Sequence, residues 1–278
     1  MARLVDICAC WRGCAAQAST AGLRAMTSTA APPRIFSRKR RIAGLRRARV
    51  RQSQRDAARY VLGDMVEDVL DRLEFMRLAP RRVLVIGDWT GTLALSLGGK
   101  GALVEERDVA TLDEERPVAG DPFDLIVSLS SLDRVNDLPG ALLHLRNALA
   151  DAGIVIASVI GAGSLPNLRR AMIAAEPDRP VARMHPLIDN RAASALLQRA
   201  LFKRQVVDAR TLSVAYGALD RLVSDLRDQG LGNVLASPAP PLGKAALARA
   251  RTAFLDRADR NRRVLENFEI LTLTGWKD

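Results

Sequence analysis

Apolar runs that alternate with amphipathic ones constrain this chain more than any other feature. Three segments, "RRVLVIG" at 81–87, "FDLIVSLS" at 123–130 and "IVIASVIG" at 154–161, read as strands buried on both faces. Between the last two, "NDLPGALLHLRNALADAG" reads as a helix, with Asp137 as its cap and Gly153 as its stop. A short helix at 92–97 and a brief strand, "ALVEE", follow the first run, and further helices are predicted at 164–175, 189–201, 217–229 and 243–260. Strands at 204–214 and in the closing "FEILTLTGW" complete the pattern. Upstream, Ala58, Val61, Leu62, Met65, Val69, Leu73 and Met76 recur at spacings of three and four, so a helix runs from near Gln54 to Pro80. Such alternation predicts an α/β fold: an open, doubly wound, mostly parallel sheet covered on both faces. In that architecture ligands bind beyond the carboxyl ends of the strands.

The charge is unevenly placed. Residues 1–55 carry thirteen Lys and Arg against one acid, Asp6, while the remainder carries twenty-nine against thirty. A basic arm therefore precedes a near-neutral body. The neutral body argues against nucleic acid as a partner, and the arm has only Phe36 to stack on a base. Residues 1–33 lack a steady period and are expected to be a disordered extension. A transit peptide and a chain that starts at Met26 fit that extension equally well. Residues 34–80 are expected to form a basic, solvated helical arm and the first apolar helix. The main domain then fills 81–278, with a helical insertion at about 217–262. Cys8, Cys10 and Cys14 all lie in the extension and lack a fourth ligand, so no metal site is expected. No run is long enough to span a membrane.

The stretch "VLVIGDWTGTLALSL" at 83–97 has the outline of a strand, a tight turn and a helix that meets a nucleotide-type ligand. "RIFSRKRR", "FDLIVSLSSLDRVNDLPGALLHLRNALADAGIVIASVIGAGSLPNLR", "DLRDQGLGNVL" and "LTLTGW" carry a further likeness. With these segments the chain, over roughly 34–276, resembles a class I S-adenosylmethionine-dependent methyltransferase. More narrowly, it resembles the mitochondrial complex I assembly methyltransferase-like factors and their bacterial relatives, with the malonyl-carrier methyltransferases as cousins. The resemblance implies a seven-stranded Rossmann-like sheet and S-adenosylmethionine as cofactor. It further implies methyl transfer to a protein or carrier-bound acceptor, in the bacterial cytoplasm or the mitochondrial matrix. The alternative is a non-catalytic assembly protein with a degenerate cofactor site. Neither the acceptor, a catalytic residue nor the oligomeric state is legible.

Matched to the family's acid and Gly-x-Gly-x-Gly, the acid falls at Val85 and the glycines at Gly87, Trp89 and Gly91. The resemblance implies cofactor contacts at Gly87, Asp88, Trp89 and Gly91. Glu105, then Glu106, is the expected ribose-diol carboxylate, and Asp108 an acid on the adenine side. Ser128 and Leu129 would face the methionine end. Asp133 and Arg134 read as a local ion pair and His144 as a helix-surface residue. His185 is expected on a loop at the mouth of the site.

Overall fold

The computed structural model describes residues 34–178 and 181–278, so the expected extension at 1–33 lies outside the described residues. One six-stranded sheet organises them. Its strands are β1 (Arg82–Ile86), β2 (Leu103–Arg107), β3 (Phe123–Leu129), β4 (Leu149–Ile160), β5 (Lys203–Tyr216) and β6 (Val264–Trp276). They lie in the order β2-β1-β3-β4-β6-β5. The first four are parallel, and β6 runs antiparallel to both β4 and β5. The expected count of seven is thus corrected to six among the described residues. Only residues 108–122 join β2 to β3, too short a link for the crossover helix and the strand that a seventh would need.

The helices are α1 (Arg38–Arg51), α2 (Tyr60–Phe75), α3 (Thr92–Gly99), α4 (Leu138–Ala148), α5 (Pro166–Ala175), α6 (Asn190–Arg199), α7 (Leu219–Asp228) and α8 (Lys244–Leu255). Alternate side chains of β1 explain why both sheet faces are covered. Val83 and Val85 join one apolar cluster with α2, α3, α5, α7 and α8. Leu84 and Ile86 join another with α4 and α6. Asp137 caps α4 by accepting from the Gly140 N–H at 2.9 Å, as its place before Leu138 and Pro139 predicts. The expected stop at Gly153 is corrected. The helix ends at Ala148, and Gly153 lies inside β4, where a Cβ would sit 2.8 Å from the Ala150 carbonyl oxygen.

The basic segment differs most from expectation. It forms α1, but α1 is not solvated all round: Arg41 and Ala48 are buried, and the helix packs on α7. Helices α7 and α8 occupy the connection between β5 and β6. No helix among the described residues is long and apolar enough to cross a membrane.

Candidate functional site

The turn after β1 is built by two glycines with different tasks. Gly87 has φ 87°, and a Cβ there would overlap the Leu129 carbonyl oxygen of β3. Gly91 has φ 73° and begins α3, yet a Cβ on it would meet nothing within 4 Å. Between them, the buried Asp88 carboxylate accepts from the backbone N–H groups of Thr90 at 3.0 Å and Leu93 at 2.9 Å, and from the Thr90 hydroxyl. It closes the start of α3 and has little capacity left for a ligand. Trp89 is half-buried and packs against the core on the α2 side. Val85, at the place of the family's acid, is wholly inside that core.

Above the turn lies a hollow of about 330 Å³, walled by Leu45, Arg49, the Gly87–Gly91 turn, Glu106, Arg107, Asp108 and Thr111. A narrower cavity of about 60 Å³ continues past Trp89 and Leu129 to Arg41, Ser131, Arg134 and Gly230. The two share Leu45, Gly87, Trp89 and Asp108. Asp108 is the first residue beyond β2. Its Oδ1 accepts from the N–H groups of Ala110 at 2.7 Å and Thr111 at 3.1 Å, and its Oδ2 pairs with Arg49 Nη2 at 2.8 Å. Burial alone would raise its pKa; the two backbone donors and the Arg49 guanidinium outweigh it and hold the carboxyl below the usual range.

Of the cofactor residues expected from sequence, Gly87, Asp88, Trp89, Gly91, Asp108 and Leu129 line this double hollow, and Glu105 and Ser128 do not. Strand β2 extends two residues beyond Glu105, which instead pairs with Arg107 along the sheet. Ser128 is buried within β3, and its hydroxyl has no partner. Glu106, the second ribose candidate, and Asp108, expected on the adenine side, both line the outer hollow.

Sequence reasoning missed the seal. Arg41 of α1 forms an ion pair with Glu114 at 2.8 Å, with side chains only 8% and 1% exposed, and also donates to the Ser131 carbonyl at 3.1 Å. The Phe36 N–H donates to Asn136 Oδ1 at 2.8 Å, and its ring meets His185 edge-on at 5.3 Å. At the far end, Arg51 Nε reaches Asp228 Oδ1 at 2.5 Å. Only the family likeness of "RIFSRKRR" hinted at this docking. His185 lies on the loop the sequence indicated, but its Nε2 accepts from the Val234 N–H at 2.8 Å, so that lone pair is engaged. Burial, reinforced by the nearby Arg134 and only partly opposed by Asp133, pushes its pKa down to about 4. Arg134 pairs with Asp133, and both are largely buried rather than surface groups; Arg134 Nη1 also donates to the Gly230 carbonyl at 2.6 Å. His144 is half-buried on α4, outside these cavities.

Past Arg134 a third space opens at the carboxyl end of β4. It holds about 280 Å³ and is lined by Ile160, Leu165, Leu168, Met172, Leu187, Val223, Leu226, Leu231 and Phe268. Asp133, Arg134, Arg183, His185 and Arg227 add its polar atoms. No cluster of three His, Cys, Asp or Glu suited to a metal occurs among the described residues.

A glycine turn between β1 and α3, a carboxylate beyond β2 and an antiparallel last strand inserted beside the penultimate one define a Rossmann-like protein of the methyltransferase type. The malonyl-[acyl-carrier protein] O-methyltransferase of Halorhodospira halophila is 30% identical over 240 residues, covering 77% of this chain and 80% of that protein. The chain belongs to the class I S-adenosylmethionine-dependent methyltransferase family that includes these enzymes. A second such enzyme, from Gallionella capsiferriformans, is 27% identical over 80% of this chain and 86% of its own length. The mitochondrial arginine-hydroxylase NDUFAF5 of Mus musculus is 29% identical over 62% of this chain, and the match spans 53% of its length. No family model matches. Among solved structures, the Synechocystis magnesium protoporphyrin IX methyltransferase aligns over 85% of this chain and 95% of its own, with 14% identity and a TM-score of 0.48.

Proposed function

We propose that this chain binds S-adenosylmethionine across the double hollow and methylates an acceptor that enters through the apolar pocket. One observation carries the reading: Asp108 stands beyond β2 and faces the open side of the Gly87–Gly91 turn, in a space of about 330 Å³. That volume falls within the range of small-molecule sites, about 300–1,000 Å³. When bound, the cofactor supplies an electrophilic methyl group on sulfur. The chain does the rest. Asp108 accepts hydrogen bonds from a vicinal diol, and Val109 and Trp89 give apolar walls. Leu45 and Arg49 of α1 lie over the hollow and exclude water. Arg49 holds the atom a diol would use, so α1 shifts when the site fills.

The side chains toward the acceptor do not suit proton abstraction. His185 spends its Nε2 on Val234, and Asp133 is paired with Arg134. An acceptor that arrives already anionic needs no base, which favours methylation of a carboxylate oxygen. O-methylation is the reaction in the names of two relatives. The second reading, a non-catalytic assembly protein, draws on the consumed Asp88 carboxylate, the apolar Val85 and the 60 Å³ inner cavity.

Calorimetric titration with S-adenosylmethionine and S-adenosylhomocysteine decides between them. Weak binding is expected from the unaltered chain. Arg49→Ala is expected to tighten it, and Asp108→Ala to weaken it by roughly one to two decades, the worth of a hydrogen bond to a charged group. Absence of binding in all three proteins would leave the assembly reading.

A further inference from the structure

A fourth space lies outside the hollow and the apolar pocket, between α1 and the segment after α7. It holds about 430 Å³, and its side-chain charges are those of Arg47, Arg51 and Arg227, with no acid in its lining. Arg51 is neutralised by Asp228, but the side chains of Arg47 and Arg227 enter no ion pair or hydrogen bond among the described residues. Arg227, Gly232 and Asn233 line both this groove and the apolar pocket, so the two spaces adjoin.

Two glycines keep the groove open without a backbone reason. Gly44 sits inside α1, where glycine is less favourable than alanine. A Cβ there would meet only Val234, at 4.0 Å, and one on Gly232 would meet nothing within 4 Å. Neither glycine has the left-handed φ that makes a side chain costly. What their missing side chains provide is room.

We infer that the apolar pocket and the arginine groove form one bipartite site for an aliphatic molecule with an anionic end group, its apolar body against Leu168, Met172 and Phe268 and its anion between Arg47 and Arg227. The assignment names the acceptor class for the proposed methyl transfer and rests on that reading. The carboxylate to be methylated points toward Arg134 and the inner cavity, and a second, unmodified anion lies toward solvent in the arginine groove. Two guanidinium groups without a direct ion-pair partner, Arg227 feeling Asp220 only through space, suit a phosphate or a carboxylate, while the pocket wall excludes a strongly hydrated body.

The test is binding of simple probes to the full chain without cofactor, so its outcome is independent of S-adenosylmethionine affinity. Decyl phosphate, decanoate, decanol and inorganic phosphate are titrated calorimetrically below their micelle thresholds. Decyl phosphate or decanoate is expected to bind, with decanol and inorganic phosphate each at least roughly tenfold weaker, as expected when a charged hydrogen bond or the apolar burial is lost. Stronger binding by one anion identifies which head group the groove prefers. Arg47→Ala with Arg227→Ala is expected to bring the anionic probes down to the decanol level and leave decanol unchanged. Gly232→Phe, which fills the junction without backbone strain, is expected to abolish binding with no change in unfolding midpoint; Gly44→Leu is the second plug should that variant misfold. Equal binding of inorganic phosphate and decyl phosphate, or anionic probes indifferent to the arginine pair and to both plugs, overturns the inference.

Discussion

Gly87 and Gly91 occupy one turn, and their replacement by alanine has unequal consequences. At Gly91 only the left-handed backbone resists, so about 1–2 kcal/mol is expected. At Gly87 the same strain is joined by overlap with the Leu129 carbonyl, which forces β1 and β3 apart. Gly87→Ala should therefore lower stability in urea by clearly more than Gly91→Ala. The sequence reading assigned both glycines to ligand approach. Gly87's second task is invisible there, because it depends on β3 lying beside β1, from Val83↔Leu125 to Ile86↔Ser128. Asp108 and Glu105 teach the same lesson. Which acid reaches the hollow depends on where β2 ends, and a charge-rich "VEERD" does not mark that point. The Arg41–Glu114 pair yields a second expectation. Arg41→Ala leaves a carboxylate buried without its cation and should cost about 3–5 kcal/mol. Arg41→Met with Glu114→Gln should recover most of it, and equilibrium denaturation of the three proteins measures the difference.

Helix α2 was legible in its apolar face, though it starts at Tyr60 rather than near Gln54: Val61, Leu62, Met65, Val69 and Leu73 are buried as the periodicity counts, and Val66, outside that count, is buried with them. Leu62→Ala or Leu73→Ala should each cost about 2–5 kcal/mol by chemical unfolding. Helix α1 was read as solvated because its buried positions are Arg41 and Ala48. An arginine scores as surface in any apolar pattern, and only the partner 73 residues away explains its burial. The loop that carries His185 has a pH signature. In the unfolded chain this imidazole takes a proton near its ordinary pKa of 6.5, but the folded chain resists until about 4. Between those values the unfolded state binds more protons, so His185's contribution is present above about pH 6.5 and is lost as pH falls toward 4. His185→Gln should flatten that part of the stability profile. An unchanged slope would place the pH sensitivity elsewhere.

Across the whole molecule, the alternation of strands and helices anticipated the sheet, its parallel half and the late helical insertion. The strand count was not legible, since the resemblance supplied seven and only the short 108–122 link argued otherwise. Cavities were legible only in part. The walls of the inner cavity and the arginine groove come from α1, α2, the Gly87–Trp89 turn, Asp108 and Val109, the end of β3 and the 227–234 segment, which lie far apart in the sequence. A chain that begins at Gln54 tests how the seal matters to the body. Without α1 it uncovers Glu114 and the apolar side of the inner cavity, so lower stability and exposed apolar surface are expected, read out by thermal melting and dye binding.

The way α1 is tied down also sets an order in time. Its partners are far along the chain: Phe36 bonds Asn136, Arg40 bonds the Asn233 carbonyl, 193 positions away, and Gln52 bonds the Asp228 carbonyl, 176 away. Contacts of such separation form late, after the loops between them have closed. On a growing chain the arm emerges first and waits for the insertion to be synthesised. In the finished protein, the last piece to dock is the first to come away. Opening α1 is then expected to be a local unfolding event with its own free energy, smaller than that of the whole. Native-state hydrogen exchange should show the α1 amides unprotected at denaturant concentrations where β1, β3 and β4 still resist.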